Sequence, residues 1–409
     1  MRFFYNISIF FYYLAIRIAS FFNPKAVLWL KGRKNVFDRI ESAIRTSESK
    51  QLIWFHCASL GEFEQGRPLM EKLKKQNPSV KIILTFFSPS GYEIRKNYSG
   101  ADHIFYLPMD TPSNAKKFIE IVKPEKVFFV KYEFWFNYLN ELKRKNIPTY
   151  LVSGIFRDDH YFFKSTGAWF RKQLGAFTHF YVQDEKSLTL LNAIGYSNVT
   201  LAGDTRFDRV FELASNVKQI DLVKQFAADK TVLIVGSSWK EDEEIISSFK
   251  LDHFKLILAP HEIDTAHIDS IITRFSDVSL LLYSNATELN IKDAKVLVID
   301  NIGMLSSLYQ YGTIAFIGGG FGKGIHNILE AATFGLPVIF GPNYKKFTEA
   351  KELIRFGGAF SIKDVFEFEK IMQLLSDEQV LKTASMISKM YVKNRIGATD
   401  RVLSKVLNP

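Results

Sequence analysis

One cysteine, Cys57, stands in a chain of 409 residues. A lone thiol excludes an internal disulfide and any metal site built on several cysteines. Histidine is thin as well: the eight are far apart, with no H-E-x-x-H pair, so no metallohydrolase centre is encoded. An Asp-x-Asp metal motif is missing too, and the acidic pair Asp158-Asp159 is the nearest approach to one. There is no arginine-rich arm and no zinc-finger spacing, which argues against a nucleic-acid reader. No repeat of short period is visible, which excludes a solenoid. What is present is ordinary for a folded chain of two or three domains: 47% apolar and 23% charged residues. The formal charge of +10 favours partners that carry phosphate, whether nucleic acid, anionic lipid or nucleotide.

The N-terminus concentrates aromatic residues, reading RFFYNISIFFYYLAIRIASFFNPK. From Phe3 to Phe22 a helix would be about 30 Å long, the thickness of a bilayer core. Asn6 and Arg17 interrupt the run, Arg17 close enough to its end to snorkel, and Asn23-Pro24 stops it. Lys25, Lys31, Arg33 and Lys34 follow, against Arg2 in front, which would leave the bulk of the chain in the cytoplasm. Three readings compete. A cleaved signal peptide lacks a small-x-small site near Ala19. A core helix must account for so many aromatics in one run. The favoured reading is an anchor over residues 1–24 that spans the membrane or lies in its interface.

Beyond the anchor, apolar runs alternate with amphipathic ones. QLIWFHCAS, VKIILTFF, HIFYLP, KVFFVKYEF, PTYLVSGIF, HFYVQ and VTLAG read as strands separated by helices, and the rhythm restarts at TVLIVGSSW. It continues through KLILAP, VSLLLYS, AKVLVID, TIAFIGGG and PVIFGP. This is the pattern of parallel sheets with crossover helices. The polar, helical stretch from Phe207 to Lys230 carries no strand and reads as the join. The expected organisation is an N-terminal domain over 25–208, a linker over 209–229 and a C-terminal domain with C-terminal helices over 230–409. Two α/β halves would leave a cleft between them, and open α/β sheets bind ligands at the carboxyl ends of their strands.

The run FIGGGFGKGIHNILEAATFGLPVIFGP, from Phe316 to Pro342, has the outline of a phosphate cradle. It is neither a dinucleotide fingerprint nor a Walker loop. Counted from Gly320, the last glycine of G-x-G-x-x-G would fall on Ile325, and a Walker lysine at Lys323 would need glycine at Ile317. A helix can begin at Asn327, with Glu330 three residues on as a capping-box partner. The plainer reading is that the two residues only cap the helix. The functional one is that free N–H groups hold an anion and Glu330 a sugar hydroxyl.

GKGIHNILEAATFGLPVIFGPNYKKF resembles the C-terminal signature of the bacterial 3-deoxy-D-manno-octulosonic acid (Kdo) transferases, roughly Gly-Gly-His-Asn-x-Leu-Glu, then Gly-Pro and Asn-Phe. WFHCASLGEFEQGRPLMEKL and TFFSPSGYE are similar to that family's His-x-x-Ser-x-Gly-Glu and Thr-Pro-x-Gly segments, and GDTRFD, GSSWKEDEE and GMLSSLY fall in family order. The resemblance covers nearly the whole chain. It implies an α/β fold of the GT-B type, two Rossmann-like domains facing a central cleft, with an N-terminal membrane-anchor helix. It implies an inverting, metal-independent transfer of Kdo from CMP-Kdo to a lipid A precursor at the cytoplasmic face of the inner membrane, without a cofactor and without nucleic acid. The residues that match are Glu62 as general base, Glu133 and Arg206 as supports of the transition state, and a nucleotide-sugar site of Ser237, Ser238, Pro260, His261, Gly303, Met304, Leu305, Gly319, Gly320, His326, Asn327, Ile328, Leu329 and Glu330.

Independently of the resemblance, Glu62 stands at the end of a strand and opens a helix, where the dipole favours a carboxylate that can accept a proton. The plainer reading is dipole complementation alone. The chain departs from the family pattern at Pro260-His261-Glu262 (Pro-Arg-His), Lys131 to Phe136 (Glu-Thr-Glu-Leu-Trp-Pro), Gly203 to Asp208 (Gly-Asn-x-Lys-Phe-Asp) and Gly303-Met304-Leu305 (Gly-Glu-Leu). Arginine for lysine at Arg206 keeps the charge and alters its geometry. A different GT-B transferase using a UDP-sugar on a lipid-linked sugar, and a tethered nucleotide- or nucleic-acid-binding protein, are the rival readings.

Overall fold

The computed structural model describes residues 1–45, 51–228, 230–250 and 253–407. It divides into two compact units, Met1–Asp208 together with Gly397–Pro409, and Arg209–Ile396. The first holds seven parallel strands, β1 (Leu52–Cys57), β2 (Lys81–Phe86), β3 (His103–Tyr106), β4 (Lys126–Val130), β5 (Thr149–Gly154), β6 (His179–Val182) and β7 (Val199–Leu201), in the order β3-β2-β1-β4-β5-β6-β7. The second holds seven more: β8 (Thr231–Ser238), β9 (Phe254–Pro260), β10 (Leu280–Leu282), β11 (Val296–Val298), β12 (Ile314–Ile317), β13 (Val338–Phe340) and β14 (Ala359–Ser361). Their order is β10-β11-β9-β8-β12-β13-β14, again all parallel.

Each sheet is covered on both faces, which is why its strands read as unbroken apolar runs and not as alternations. All six residues of β1 are buried. Trp54 packs into the core on one face with Phe118, Phe129 and Tyr138, while Ile53, Phe55 and Cys57 pack into the other with Leu69, Phe86 and Val130. Strand order reverses between β1 and β4 in the first sheet and between β8 and β12 in the second. At such a reversal the crossover helices leave to opposite faces and the carboxyl ends open a crevice.

The N-terminal helix Arg2–Ala19 corrects the spanning reading: among the described residues no helix is long and apolar enough to cross a membrane. Asn6, one of the two residues that interrupt the run, is bonded to the body of the protein, and so is Tyr5 beside it. The Tyr5 hydroxyl donates to Asp110 at 2.5 Å, Asn137 donates to the Asn6 side chain at 2.9 Å, and Ile9 is buried beside Trp29 and Met109. The opposite face stays open: Phe3, Phe10, Phe21 and Phe22 are 62–87% exposed. One side of the helix is a core helix and the other is not.

The last helix, Ala398–Leu407, was expected with the second half, but it belongs to the first unit. Val402, Leu403 and Val406 join the core beside β1, and the Asp208 carboxylate accepts the backbone N–H groups of Gly397 and Thr399. The strandless stretch holds the helices Thr205–Ser215 and Asp221–Ala227, and the units part inside the first of them.

Asp110 is the residue that fastens the N-terminal helix. Its buried carboxylate accepts from Tyr5 and from the backbone N–H groups of Asn137 and Tyr138, at 3.1 and 3.0 Å. Burial outweighs these bonds and pushes its pKa from 3.8 up to about 6. A carboxyl whose folded pKa lies above its unfolded one binds more protons in the native state, so its contribution is most favourable below about pH 4 and declines until about pH 6. Asp110→Asn keeps the acceptor oxygen without the charge. Relative to the wild type, it should gain up to about 3 kcal/mol of stability between pH 4 and 7, at about 1.4 kcal/mol per pKa unit. Urea unfolding across that range reads the difference, and parallel stability profiles would exclude a raised Asp110.

Candidate active site

In the first unit the carboxylates gather at the reversal point. Glu62 lies in the first turn of the helix Leu60–Gln76, which leaves the end of β1, and the Ser59 hydroxyl donates to its carboxylate. Glu133 lies in the loop after β4, where Lys131 takes a left-handed φ of 72° that re-aims the chain. Glu133 is buried. Its Oε2 sits 3.1 Å from His56 Nε2 and accepts from Trp135 Nε1 at 2.5 Å. His56 Nδ1 lies 2.9 Å from the Thr85 hydroxyl, which also accepts from Trp54 Nε1 at 2.8 Å. The carboxylate has no proton to give, so His56 must carry one on Nε2, and the 3.0 Å approach of Trp135 Nε1 to that nitrogen is then no hydrogen bond. Burial pushes the Cys57 thiol far up, and the fields of Glu62, Glu133 and Glu64 add to it.

Arg206 follows β7, three strands beyond β4. The neighbouring Thr205 ties this loop back, its hydroxyl donating to the Gln65 carbonyl at 2.5 Å and lying 3.2 Å from Ser153. Arg206 is held in turn: Asp204 Oδ2 accepts from its Nε at 2.8 Å and lies 2.7 Å from its Nη2. A guanidinium fixed by a buried carboxylate is pre-aimed, with part of its charge already answered.

In the second unit the expected residues lie past the carboxyl ends of four adjoining strands, β11, β9, β8 and β12. Gly319 has a φ of 86°, and a Cβ on Gly320 would come within 2.5 Å of the Gly341 backbone nitrogen, so this turn admits only glycine at both places. Its anchor is Asp242, whose Oδ2 accepts the N–H groups of Gly319 and Trp239, each at 2.9 Å. Burial pushes the Asp242 pKa up to about 6. Three rings stack beside the turn: His261 lies 4.6 Å from both Trp239 and His326, and Trp239 Nε1 donates to His326 Nε2 at 3.1 Å. Burial and the nearby His261 push the His326 pKa down, so this imidazole is neutral at pH 7 with its proton on Nδ1.

Several expected placements differ in detail. The helix begins at Leu329, not Asn327, and is only five residues long. Asn327 Oδ1 accepts the Leu329 N–H at 3.2 Å, and its amide donates to Glu330 at 3.0 Å, so side chains more than a helix dipole shape this corner. The Ser238 hydroxyl is buried and donates to Glu243 at 2.8 Å, whereas Ser237 forms a bulge with a φ of 54°. Gly303, with a φ of 97°, and Met304 and Leu305 follow β11 and its loop. Glu262, Asp264 and His267 come close enough to share an ion, but Asp264 caps its helix through the His267 N–H and His267 bonds Glu243 at 3.0 Å. Those bonds account for the cluster.

Residues 34–209 match the family model of the 3-deoxy-D-manno-octulosonic-acid transferases (kdotransferases). A transferase of that name from Aquifex aeolicus is 30% identical over 81% of this chain and 88% of its own length. The chain belongs to this family. It is therefore a Kdo glycosyltransferase. A bifunctional glycosyltransferase/methyltransferase from Fusobacterium nucleatum is 28% identical over 89% of this chain, which spans 58% of that relative's length. In fold the transferase is GT-B. The UDP-GlcNAc 2-epimerase of Neisseria meningitidis superposes with a TM-score of 0.61 over 88% of this chain and all of that one, at 16% identity.

Sequence reasoning missed His56, Trp135 and Asp242. His56 stood inside a quoted motif, three residues before Ser59, but nothing local pairs it with Glu133, 77 positions on. Thr85 is the keystone of that network. Thr85→Val keeps the shape and strips the partner from His56 Nδ1 and Trp54 Nε1, both buried. It should cost about 2–4 kcal/mol, since each orphaned buried group costs about 1–3. Denaturant unfolding measures this, and a loss under about 0.5 kcal/mol would mean that the hydroxyl bridges nothing.

Proposed function

We propose that this Kdo glycosyltransferase moves Kdo from CMP-Kdo to a lipid A precursor with inversion, Glu62 acting as the general base. The observation that carries this reading is the placement of Glu62 and Glu133 just after β1 and β4, the two strands of the reversal, with the loop that bears Arg206 tied back to the Glu62 helix through Thr205 and Gln65. Glu62 takes the proton of the attacking acceptor hydroxyl while the bond from the anomeric carbon to the CMP phosphate breaks on the other face. The sugar passes through an oxocarbenium-like state, and CMP leaves with the electron pair of the broken bond. Glu133, fixed by His56 and Trp135, places negative charge near the developing cation. Arg206, fixed by Asp204, answers charge on the departing phosphate. On the donor side the glycine turn holds the phosphate, the exposed His261 offers a ring to the base, and Glu330 accepts from the ribose.

The acceptor's lipid character is supported by a cavity of about 530 Å³ beneath the N-terminal helix, with apolar walls at Ile9, Phe37 and Met109 and polar ones at Asn35, Asp38 and Lys117. Arg33 lines it. Its guanidinium donates to the carbonyls of Leu107 and Phe87 and lies 3.7 Å from the Trp29 ring, and no carboxylate pairs with it among the described residues. Burial pushes its pKa down to about 9, which leaves it charged at pH 7. A slot that is part apolar and part polar, with a cation that no carboxylate pairs, suits an acyl chain next to a phosphate. The open aromatic face of the helix would lie in the interface of the inner membrane, on its cytoplasmic side.

Glu62→Gln should cut turnover at least about 10²-fold with little change in CMP affinity, the scale expected for a lost general base. Glu64→Gln loses the same charge two residues further along the helix, from a carboxylate that pairs with Arg95 at 2.8 Å, and should keep nearly full turnover. The assay follows CMP release and mass added to the lipid. Equal rates for Glu62→Gln and wild type with saturating acceptor would remove Glu62 from the mechanism, and UDP release from a UDP-sugar would favour the rival donor.

Glu330→Gln leaves an acceptor oxygen for Asn327 but removes the charge. It should weaken CMP binding by about 1–3 kcal/mol in calorimetry, the value of a hydrogen bond to a charged group. Unchanged affinity would leave Glu330 with a capping role alone.

A further inference from the structure

The second unit carries a large cavity, about 880 Å³, walled in part by Gly322 from the glycine-rich stretch and by Asn343 and Tyr344 after β13. Lys323, Lys345, Lys346, Lys363 and Lys370 line it, all exposed, against a single acid, Glu367. That carboxylate is already engaged: it accepts the Lys363 N–H at 2.9 Å and lies 3.7 Å from the Lys363 ammonium. The other four lysines have no carboxylate partner among the described residues. Like charges gathered around one concavity repel, and anions entering it relieve that cost. The kind of anion follows from the residue type and the surroundings. A site built for a small soluble phosphate would use buried donors or the fixed fork of arginine, whereas exposed lysines are point charges on mobile stems and match a diffuse array of phosphates. Beside the cavity, on the helix Val365–Leu374, Phe366 is 76% exposed and Leu374 is exposed too, at one-turn spacings on either side of Lys370. An open aromatic next to a basic hollow is the composition of a surface that meets lipid headgroups.

We propose that this basic cavity and Phe366 seat on the anionic headgroups of a lipid surface, giving the second unit a membrane contact of its own. The contact does not depend on the donor or acceptor chemistry proposed above, and it is measured without either substrate.

The test uses the full chain and vesicles of phosphatidylcholine, with or without phosphatidylglycerol, in co-sedimentation at low and at physiological salt. Phosphatidylglycerol should strengthen partitioning of the wild type, and salt should weaken that gain. The triple variant Lys345→Gln, Lys346→Gln, Lys370→Gln should lose roughly a hundred-fold of the gain at low salt, about five-fold for each lysine near an anionic surface. Its partitioning to pure phosphatidylcholine should not change. A charge-matched control, Lys218→Gln, Lys224→Gln, Lys382→Gln, should keep most of the gain, and Glu367→Gln, which frees the cavity of its acid, should increase it. Equal gains for the two triple variants would overturn the proposal. So would saturable binding of inorganic pyrophosphate that the cavity variant loses while its vesicle partitioning stays intact, because the cavity would then serve a soluble anion.

Discussion

A buried carboxylate with few donors is costly unless every lone pair it turns inward meets an N–H. Glu133 is that case, and the first unit is arranged around it. Its Oε2 takes the His56 and Trp135 N–H groups, His56 is held from behind by Thr85, and Thr85 is held by Trp54. The chain of bonds crosses β1, β2 and the loop after β4, the strands on which the reversal of order is built. The parallel register of β1 with β2 sets His56 opposite Thr85, and that of β1 with β4 sets it opposite Phe129, so the network follows from strand pairing and is not an ornament on it. With Glu133 fixed, the left-handed Lys131 has a reason: the loop must double back within a few residues to return the carboxylate to β1.

The second unit solves the same problem with another acid. Asp242 opens the helix after β8 and pins two backbone N–H groups, one before its own helix and one in the glycine turn after β12. β8 and β12 are neighbours on either side of the reversal. In both halves, then, a buried carboxylate bonds across the reversal, Glu133 to His56 on β1 and Asp242 to the turn after β12. The difference lies in what is left open. In the first unit Glu62 stands free of the network beside it, touched by Ser59. In the second, Asp242 is enclosed, and the rings and Glu330 are what the turn presents.

The strands were legible because parallel sheets bury both faces. LIWFHC and TVLIVGSS have no polar face to confuse the reading, and both are strands as expected. The GT-B architecture was legible through ordered motifs. The start of the helix near Asn327 was not, because an asparagine that accepts an N–H two residues on looks in sequence like a cap whether or not a helix begins there. The N-terminal helix was half legible: aromatic content marks its open face, but nothing local shows that Tyr5 and Asn6 have partners more than a hundred residues away. The same limit hid His56 and the return of the last helix to the first unit, both of them long-range pairings. The direction of the Ser238 hydroxyl was not legible for a related reason. On a strand that ends in a bulge, one residue decides which face a hydroxyl meets, and the bulge at Ser237 turns Ser238 inward to Glu243.

The excess of positive charge is spent in two physically different ways. Arg33 is nearly enclosed, and three aromatic rings and backbone carbonyls take the place of water around it. Such a cation is rigid and keeps its charge only because carbonyl dipoles and ring faces offset part of its lost hydration. The lysines around the second cavity keep their water and their freedom. A rigid, half-dehydrated guanidinium discriminates, since it rewards only an anion whose shape lets it reach the fixed fork of donors. Hydrated ammonium groups do not discriminate, but they act at longer range and are screened by salt. Under the function proposed above, the two kinds of charge divide the work: one chooses the lipid ligand and the other finds the surface that carries it.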